Sequence, residues 1–145
     1  MYEKIRKILK IAMTMEMTDR ERYRKLGETI GDEKIRTLFD SLAKEEEKHF
    51  KALFQKFRIH GGESSFQPEV NTEELKSQKL RLNDRVSILN DCIEREKKSE
   101  QFYLDGADKT DDLIIRDFYL YLADQEKEHA KKLQELLEAQ HVQSP

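Results

Sequence analysis

The two halves of this chain repeat one pattern of residues at a spacing of 80 positions, and the alignment needs no gap. The repeat keeps apolar positions, such as Ile35 and Ile115, and it also keeps polar residues that lie among them. The repeated polar residues are Glu16 and Glu96, Tyr23 and Tyr103, Glu46 and Glu126, and His49 and His129. A duplicated scaffold needs only its apolar positions. The retained polar residues therefore indicate a shared chemical function.

The length and composition predict one domain made of long amphipathic helices. We assign residues 1–145 to a single four-helix-bundle domain, with repeats at about 3–60 and 83–140 and a crossover at 61–81. Charged residues make up 39% of the chain, and there are only 2 prolines and 5 glycines, which is typical of solvated helices. The net charge is −3, and basic residues are interspersed with acidic ones. This distribution argues against a nucleic acid partner.

Two further absences from the sequence narrow the class of protein. No apolar run approaches the roughly 20 residues that span a bilayer, and the N-terminus has no apolar signal segment. We therefore expect a cytoplasmic protein with no membrane partner. Cys92 is the single cysteine, so no disulfide framework and no cysteine metal site are expected. Cys92 aligns with Ala12, which predicts a small buried helix residue.

Apolar residues recur at helical spacing in four segments, which predicts an all-α fold. Gly31 and Asp32 interrupt the first pair of segments, with the glycine suited to a helix end and the aspartate to an N-cap. A second interruption falls between Gly106 and Asp112. The long connection after residue 60 can reach ~66 Å, more than the ~40 Å length of each helix. The sequence therefore predicts two antiparallel helix hairpins joined by a long crossover.

The four repeated glutamates lie at matched distances from the predicted turns. Each is fifteen residues from Gly31 or from Asp111, the centre of its turn: Glu16, Glu46, Glu96 and Glu126. In antiparallel hairpins this spacing puts all four carboxylates in one layer. His49 and His129 lie one turn from their glutamates on the same helix face.

These carboxylates and imidazoles form a complete ligand set for two metal ions in a helical bundle. Each glutamate occupies a position where the pattern predicts an apolar side chain, and burying unpaired carboxylates together would be very costly. Two divalent cations balance the four charges. Carboxylate and imidazole donors without thiolate suit iron or manganese. We expect two iron ions, with manganese as the alternative, and no haem or organic cofactor.

Other acidic and histidine residues near the predicted site are not repeated. The mismatched pairs are Glu45 with Gln125, Glu47 with Lys127, and Lys48 with Glu128. We therefore exclude these glutamates as ligands. His60 and His141 are also unmatched, and we expect both at the surface.

The repeated motif resembles that of the rubrerythrin-like branch of the ferritin-like di-iron proteins. The likeness rests on Glu16-x6-Tyr23 and Leu42-Ala43-x2-Glu46-x2-His49, followed by the same pattern from Glu96 to His129, and it covers residues 3 to 138. The resemblance implies a ferritin-like four-helix bundle with a non-haem di-iron centre that handles peroxide or dioxygen. It carries the ligand role over to Glu16, Glu46, His49, Glu96, Glu126 and His129, with Glu46 and Glu126 as bridging carboxylates.

The chain departs from the family pattern at two points. Rubrerythrins proper carry a rubredoxin-type domain whose iron is held by four cysteines, so a chain with one cysteine is expected to take electrons from an external redox protein. They also carry a third-helix carboxylate one turn past the ligand, where Ser99 stands here, and Glu100 is only a loose substitute. Tyr23 and Tyr103 are either plain core aromatics or hydrogen-bond partners of a ligand carboxylate.

Several functions are compatible with this site. The first is an oxidoreductase that reduces hydrogen peroxide or dioxygen, and the second is a ferroxidase or iron-storage protein. A di-iron hydroxylase acting on an organic substrate is the third, and a metal-free scaffold is the plain alternative. We expect a homo-oligomer, with a dimer favoured.

Overall fold

Four long helices make up nearly all of the described chain. The computed structural model describes residues 2–70 and 85–143, with side chains described as far as residue 140. The helices are α1 (Glu3–Thr29), α2 (Glu33–Ile59), α3 (Arg85–Lys109) and α4 (Leu113–Gln143), and no strand occurs in these ranges. The predicted all-α class is confirmed.

The helices pair in chain order into two compact units. In the first hairpin α1 packs on α2, and in the second hairpin α3 packs on α4. Of the predicted crossover, residues 71–81 lie outside the described residues. None of the helices in the described part of the chain is both long and apolar enough to cross a membrane.

The turn of each hairpin is fixed by an aspartate that caps the following helix. An oxygen of Asp32 accepts a hydrogen bond from the backbone N–H of Ile35, and an oxygen of Asp112 accepts one from Ile115, both at 3.0 Å. These contacts satisfy N–H groups that have no partner within their own helix. The predicted N-cap role of Asp32 is thus confirmed.

Both predicted interruptions coincide with helix ends. Helix α1 ends at Thr29, two residues before Gly31, and α3 ends at Lys109, between Gly106 and Asp112. Among the described glycines only Gly61 has a positive φ, of 85°. A Cβ at Gly106 would come within 3.1 Å of the Tyr119 ring, so this glycine lets α3 approach α4 closely.

The repeated apolar positions are buried in both hairpins. They are Leu9, Ala12, Ile35, Leu42, Ala43 and Leu53 in the first hairpin, and Leu89, Cys92, Ile115, Leu122, Ala123 and Leu133 in the second. Burying a leucine or isoleucine side chain contributes about 1.5–3 kcal/mol. Cys92 is buried where Ala12 is buried, as predicted. The positions that repeat in the sequence are therefore the positions that are buried in both hairpins.

His60 is buried, so the prediction that it lies at the surface is wrong. Its side chain is 7% exposed, and its Nδ1 atom lies 2.7 Å from the carbonyl oxygen of Lys56. The Tyr2 ring packs edge-on against the imidazole, and the Arg6 guanidinium donates to the His60 carbonyl oxygen at 2.8 Å. These contacts cover the end of α2. The side chain of His141 lies outside the described residues.

Candidate metal centre

The first hairpin brings together three of the predicted ligands. Glu16 comes from α1, and Glu46 and His49 come from α2, one helical turn apart. His49 Nδ1 lies 3.5 Å from Glu16 Oε2 and 4.0 Å from Glu46 Oε2. One donor atom from each residue lies within 4.8 Å of the other two. All three side chains are at most 3% exposed.

The second hairpin repeats this arrangement. Glu96 comes from α3, and Glu126 and His129 come from α4. His129 Nδ1 lies 3.5 Å from Glu96 Oε2, the same separation as in the first hairpin. The three side chains are buried, and their donor atoms again lie within 4.8 Å of one another.

The local sequence explains why these side chains converge. A Glu-x-x-His segment places the two side chains on one helix face, because residues three apart are neighbours there. Leu42 and Leu53 lie on the same stripe of α2 and are buried, so Glu46 and His49 point into the interior with them. The short turn sets Glu16 of α1 level with Glu46.

The donor set fits a metal ion in both chemistry and spacing. Two donor atoms that are each ~2.1 Å from one ion are roughly 3.0–3.5 Å apart at angles between about 90° and 110°. The imidazole-to-carboxylate separations of 3.5 Å agree with this value. Carboxylate oxygens with imidazole nitrogens are ligands that iron and manganese accept. Each buried cluster can therefore hold a metal ion.

The acidic neighbours excluded by the repeat lie outside these clusters. Glu45 is half-buried, and Glu128 is exposed. Glu47 lies 3.6 Å from the Arg20 guanidinium in a partly exposed ion pair. These placements agree with the frame that the sequence repeat predicts.

Three residues were considered as hydrogen-bond partners of the ligand carboxylates: Tyr23, Tyr103 and Glu100. Tyr23 packs against Phe39 with ring centroids 5.2 Å apart, and Tyr103 packs against Tyr119 at 5.9 Å. Both repeated tyrosines are thus buried core aromatics. Glu100 is half-buried. A hydrogen bond from any of these three side chains to a ligand carboxylate stays a prediction.

A buried ion pair on α1 escaped the sequence analysis. The Arg22 side chain is 2% exposed, and its guanidinium lies 2.6 Å from Asp19 Oδ1. Asp19 stands three residues past Glu16, at the position equivalent to Ser99. At the position three residues past the ligand glutamate, α1 therefore carries a carboxylate and α3 does not. Aligning the repeats at this position would have revealed it.

A second missed feature is the buried hydroxyl of Tyr119. This side chain is 1% exposed, and its hydroxyl has no hydrogen-bond partner among the described residues. Burial raises the pKa of the Tyr119 hydroxyl well above its usual range, so the group stays neutral. The equivalent residue of the first hairpin is Phe39. The feature could have been found by comparing the repeats, since tyrosine differs from phenylalanine here only by the hydroxyl group.

Comparisons with known proteins bear on the family and the fold of this chain. The sequence model of the rubrerythrin family matches residues 7–137, a span that includes all six candidate ligands. The structure is similar to that of a hypothetical protein from Pyrococcus furiosus, with a TM-score of 0.73 and 22% identity over 92% of this chain and 87% of that chain. Among curated proteins, none matches the chain. The similarity to this solved structure shows a shared fold, and the family match shows that the chain belongs to the rubrerythrin family.

Proposed function

We propose that this chain is a non-haem di-iron protein that reduces hydrogen peroxide or dioxygen, with electrons from a separate donor, as a defence against oxidative stress. The observation that carries the proposal is the same in both hairpins: two buried carboxylates and a buried imidazole converge, with the imidazole nitrogen 3.5 Å from a carboxylate oxygen. Membership of the rubrerythrin family supports the choice of a di-iron site.

In this proposal six side chains hold two metal ions. The ligands are Glu16, Glu46, His49, Glu96, Glu126 and His129. Four carboxylates balance the charge of two divalent ions, and the neutral imidazoles complete the ligand set without adding charge. Glu46 and Glu126 are proposed to bridge the ions, as the family resemblance implies. Iron is the proposed metal, and manganese is the alternative with the same donor preferences.

If these residues hold two ferrous ions, the pair would supply two electrons in total, the number needed to cleave the O–O bond of hydrogen peroxide. Hydrogen peroxide takes up two electrons and two protons and becomes two molecules of water. The protein's own part is to hold the donors and to limit the access of water. Leu42 and Leu122, each one turn from a ligand glutamate, are fully buried beside the donors.

The separate electron donor is part of the proposal, and the cysteine content of this chain supports it. Cys92 is the single cysteine, and it is buried, so the chain has no cysteine cluster for a further iron. After one oxidation the site would therefore stop until a redox protein reduces it. The cytoplasm, as the compartment that keeps thiols reduced, is the proposed location.

Rapid mixing of the diferrous protein with each oxidant tests the proposed activity. We expect hydrogen peroxide to oxidise the site faster than dioxygen does, as followed at the near-ultraviolet absorption of the oxidised centre. Turnover should stall after one cycle until a small redox protein is added. Glu46→Ala should lose this signal, and Glu47→Ala should keep it.

Either of two outcomes would replace this proposal with another. A faster reaction with dioxygen, together with a mineral core inside a shell of many subunits, would make the protein a ferroxidase or iron store. An organic product that has gained oxygen from the oxidant would point to a hydroxylase.

A further inference from the structure

We propose that a groove between α3 and α4 of the second hairpin binds a small organic phosphate. The groove encloses about 420 Å³, which lies within the range of roughly 300–1,000 Å³ found for small-ligand sites. Its lining combines three lysines, Lys97 from α3 and Lys127 and Lys131 from α4, with apolar side chains and one amide. The inference does not depend on the proposed activity.

The lysine groove carries positive charge that the protein does not neutralise. Its lining holds three lysines and one carboxylate, that of Glu128, so two positive charges are in excess. In the part of the chain that the structure describes, no ion pair joins any of the three lysines to a carboxylate, although Glu94 and Glu135 each lie within one turn of a groove lysine. A phosphate monoester carries about −1.5 to −2 charges at neutral pH, which matches this excess.

The first hairpin shows that the fold does not require these charges. The residues equivalent to Lys127 and Lys131 are Glu47 and Lys51. A glutamate four residues before a lysine stabilises a helix, whereas two lysines at that spacing destabilise it. The second hairpin therefore has an unfavourable pair where the first has a favourable one. An anion bound between the two lysines would remove this repulsion.

The open space of the lysine groove is also specific to the second hairpin. At the equivalent positions the first hairpin carries Phe50 and Phe54, whose rings are stacked with centroids 6.2 Å apart. The second hairpin carries Ala130 and Gln134 there, and both line the groove. Ile93, which is 4% exposed, adds a buried apolar side chain to the lining. Smaller and more polar residues thus leave a space where the first hairpin has aromatic rings.

The chemistry of the lining favours an organic phosphate over other small anions. Lysine binds phosphate as a compact point charge with three donors, whereas the planar fork of arginine suits carboxylates, and no arginine is among the described residues that line the groove. Ile93 and Ala130 offer apolar surface to an organic group. The amide of Gln134 supplies a donor and an acceptor for polar atoms on that group.

A macromolecule is a poorer occupant of the lysine groove. A standard protein interface takes roughly 20–30 residues from each partner, far more than the seven that line this groove. A nucleic acid strand presents phosphates in a row and requires a long basic surface, whereas this chain has a net charge of −3. A small molecule with one phosphate group fits the dimensions of the groove.

Isothermal titration calorimetry of the metal-loaded protein with phenyl phosphate is the first test. We expect one site per chain with a Kd of about 1 mM or tighter. Inorganic phosphate lacks the apolar group, benzyl alcohol lacks the charge, and benzoate carries a single charge on the same ring. Each of these three probes should bind at least about tenfold more weakly than phenyl phosphate.

Variants that restore residues of the first hairpin are the second test. Ala130→Phe fills the groove and keeps its charges, and Lys127→Glu keeps its space and reverses one charge. Each should raise the Kd for phenyl phosphate at least about tenfold. Lys132→Glu is the matched control, because it makes the same change of charge at an exposed residue of α4 outside the lining. It should leave the Kd within about twofold.

Several results would overturn the proposal. The first is the absence of saturable binding of phenyl phosphate, and the second is equally tight binding of inorganic phosphate or benzoate. An unchanged Kd in Ala130→Phe would place the ligand elsewhere, for example on the metal ions, whose content is measured in every variant. Equal weakening by Lys127→Glu and Lys132→Glu would indicate an effect of net charge alone. Displacement of phenyl phosphate by a short single-stranded oligonucleotide would assign the groove to nucleic acid.

Discussion

The first hairpin, α1 with α2, and the second hairpin, α3 with α4, bury the same positions but expose different ones. Glu46 and His49 of the first hairpin have equivalents with the same burial in the second. At the surface, by contrast, Arg24 and Asp40 are replaced by Leu104 and Leu120. The comparison distinguishes the constraints on buried positions from those on exposed positions. Packing and the candidate ligand set hold the interior positions constant, whereas neither constrains the exposed positions.

Smaller differences inside the hairpins affect stability rather than the metal site. Phe39 and Leu26 of the first hairpin correspond to Tyr119 and Gly106 of the second. The glycine makes room for the Tyr119 ring, but the added hydroxyl is buried without a hydrogen-bond partner among the described residues. The two hairpins therefore provide controls for each other.

The largest expected effect is the loss of metal when a ligand glutamate is removed from either hairpin. Glu46→Ala and Glu126→Ala should each release metal, because the remaining donors no longer complete the ligand set. Glu47→Ala and Glu128→Ala should retain it, since these side chains lie outside the clusters. The check is metal content by elemental analysis.

The same measurement also tests whether the two hairpins are equivalent in binding metal. If Glu46→Ala loses metal and Glu126→Ala does not, only the first hairpin binds an ion. If Glu47→Ala loses metal while Glu46→Ala keeps it, the alignment of the two repeats is wrong.

Removal of the metal should lower the thermal stability of the whole protein. A ligand present at 1,000 times its Kd contributes about 4 kcal/mol, which corresponds to roughly 10 °C in a chain of this size. Hydrogen exchange localises the change: amide protection near Glu46 and near Glu126 should fall together. Loss of protection in one hairpin alone would contradict a site shared equally between the repeats.

Breaking the buried ion pair of the first hairpin should cost more than the equivalent change in the second. Asp19→Ala removes the carboxylate 2.6 Å from the buried Arg22 guanidinium, and we expect a loss of about 3 kcal/mol in the free energy of unfolding. Ser99→Ala should cost less than about 1 kcal/mol. Urea denaturation of both variants measures the difference, and equal losses would argue against a structural role for the pair.

The smallest expected effect is a gain in stability. Tyr119→Phe removes a buried hydroxyl that has no partner among the described residues, and it should raise the free energy of unfolding by about 1 kcal/mol. The reverse change, Phe39→Tyr, should lower it by about 1–3 kcal/mol. Urea denaturation provides both values. A destabilised Tyr119→Phe would mean that the hydroxyl has a partner.

The same pair of proteins should respond differently to alkaline pH. Burial raises the pKa of the Tyr119 hydroxyl above its ordinary value of 10.0, so the hydroxyl ionises more readily in the unfolded chain. The natural protein should therefore lose stability relative to Tyr119→Phe as pH rises above about 10. The difference should stay constant below that pH.

The sequence predicted the features that depend on helical periodicity and on the internal repeat. The helical periodicity gave four helices, and the 80-residue repeat selected Glu46 and His49 from a chain rich in charged residues. Both side chains are buried within their hairpin as expected. These features are local or nearly so, because a helix face and a short turn determine which residues meet.

The sequence did not predict features that depend on packing at a distance along the chain. His60 is buried because residues near the N-terminus, among them Tyr2 and Arg6, pack over the end of α2. Gly106 lies three residues before the end of α3, and its lack of a side chain permits the close approach of the Tyr119 ring. Periodicity carries no information about such contacts, whereas the difference between equivalent residues in the two repeats would have pointed to some of them.

The iron content of the purified protein, loaded with Fe(II) under anaerobic conditions, tests the central claim most directly. Elemental analysis should give two iron ions per chain, because each hairpin supplies two buried carboxylates and one imidazole. A content near zero in a protein that retains its helices would contradict the account.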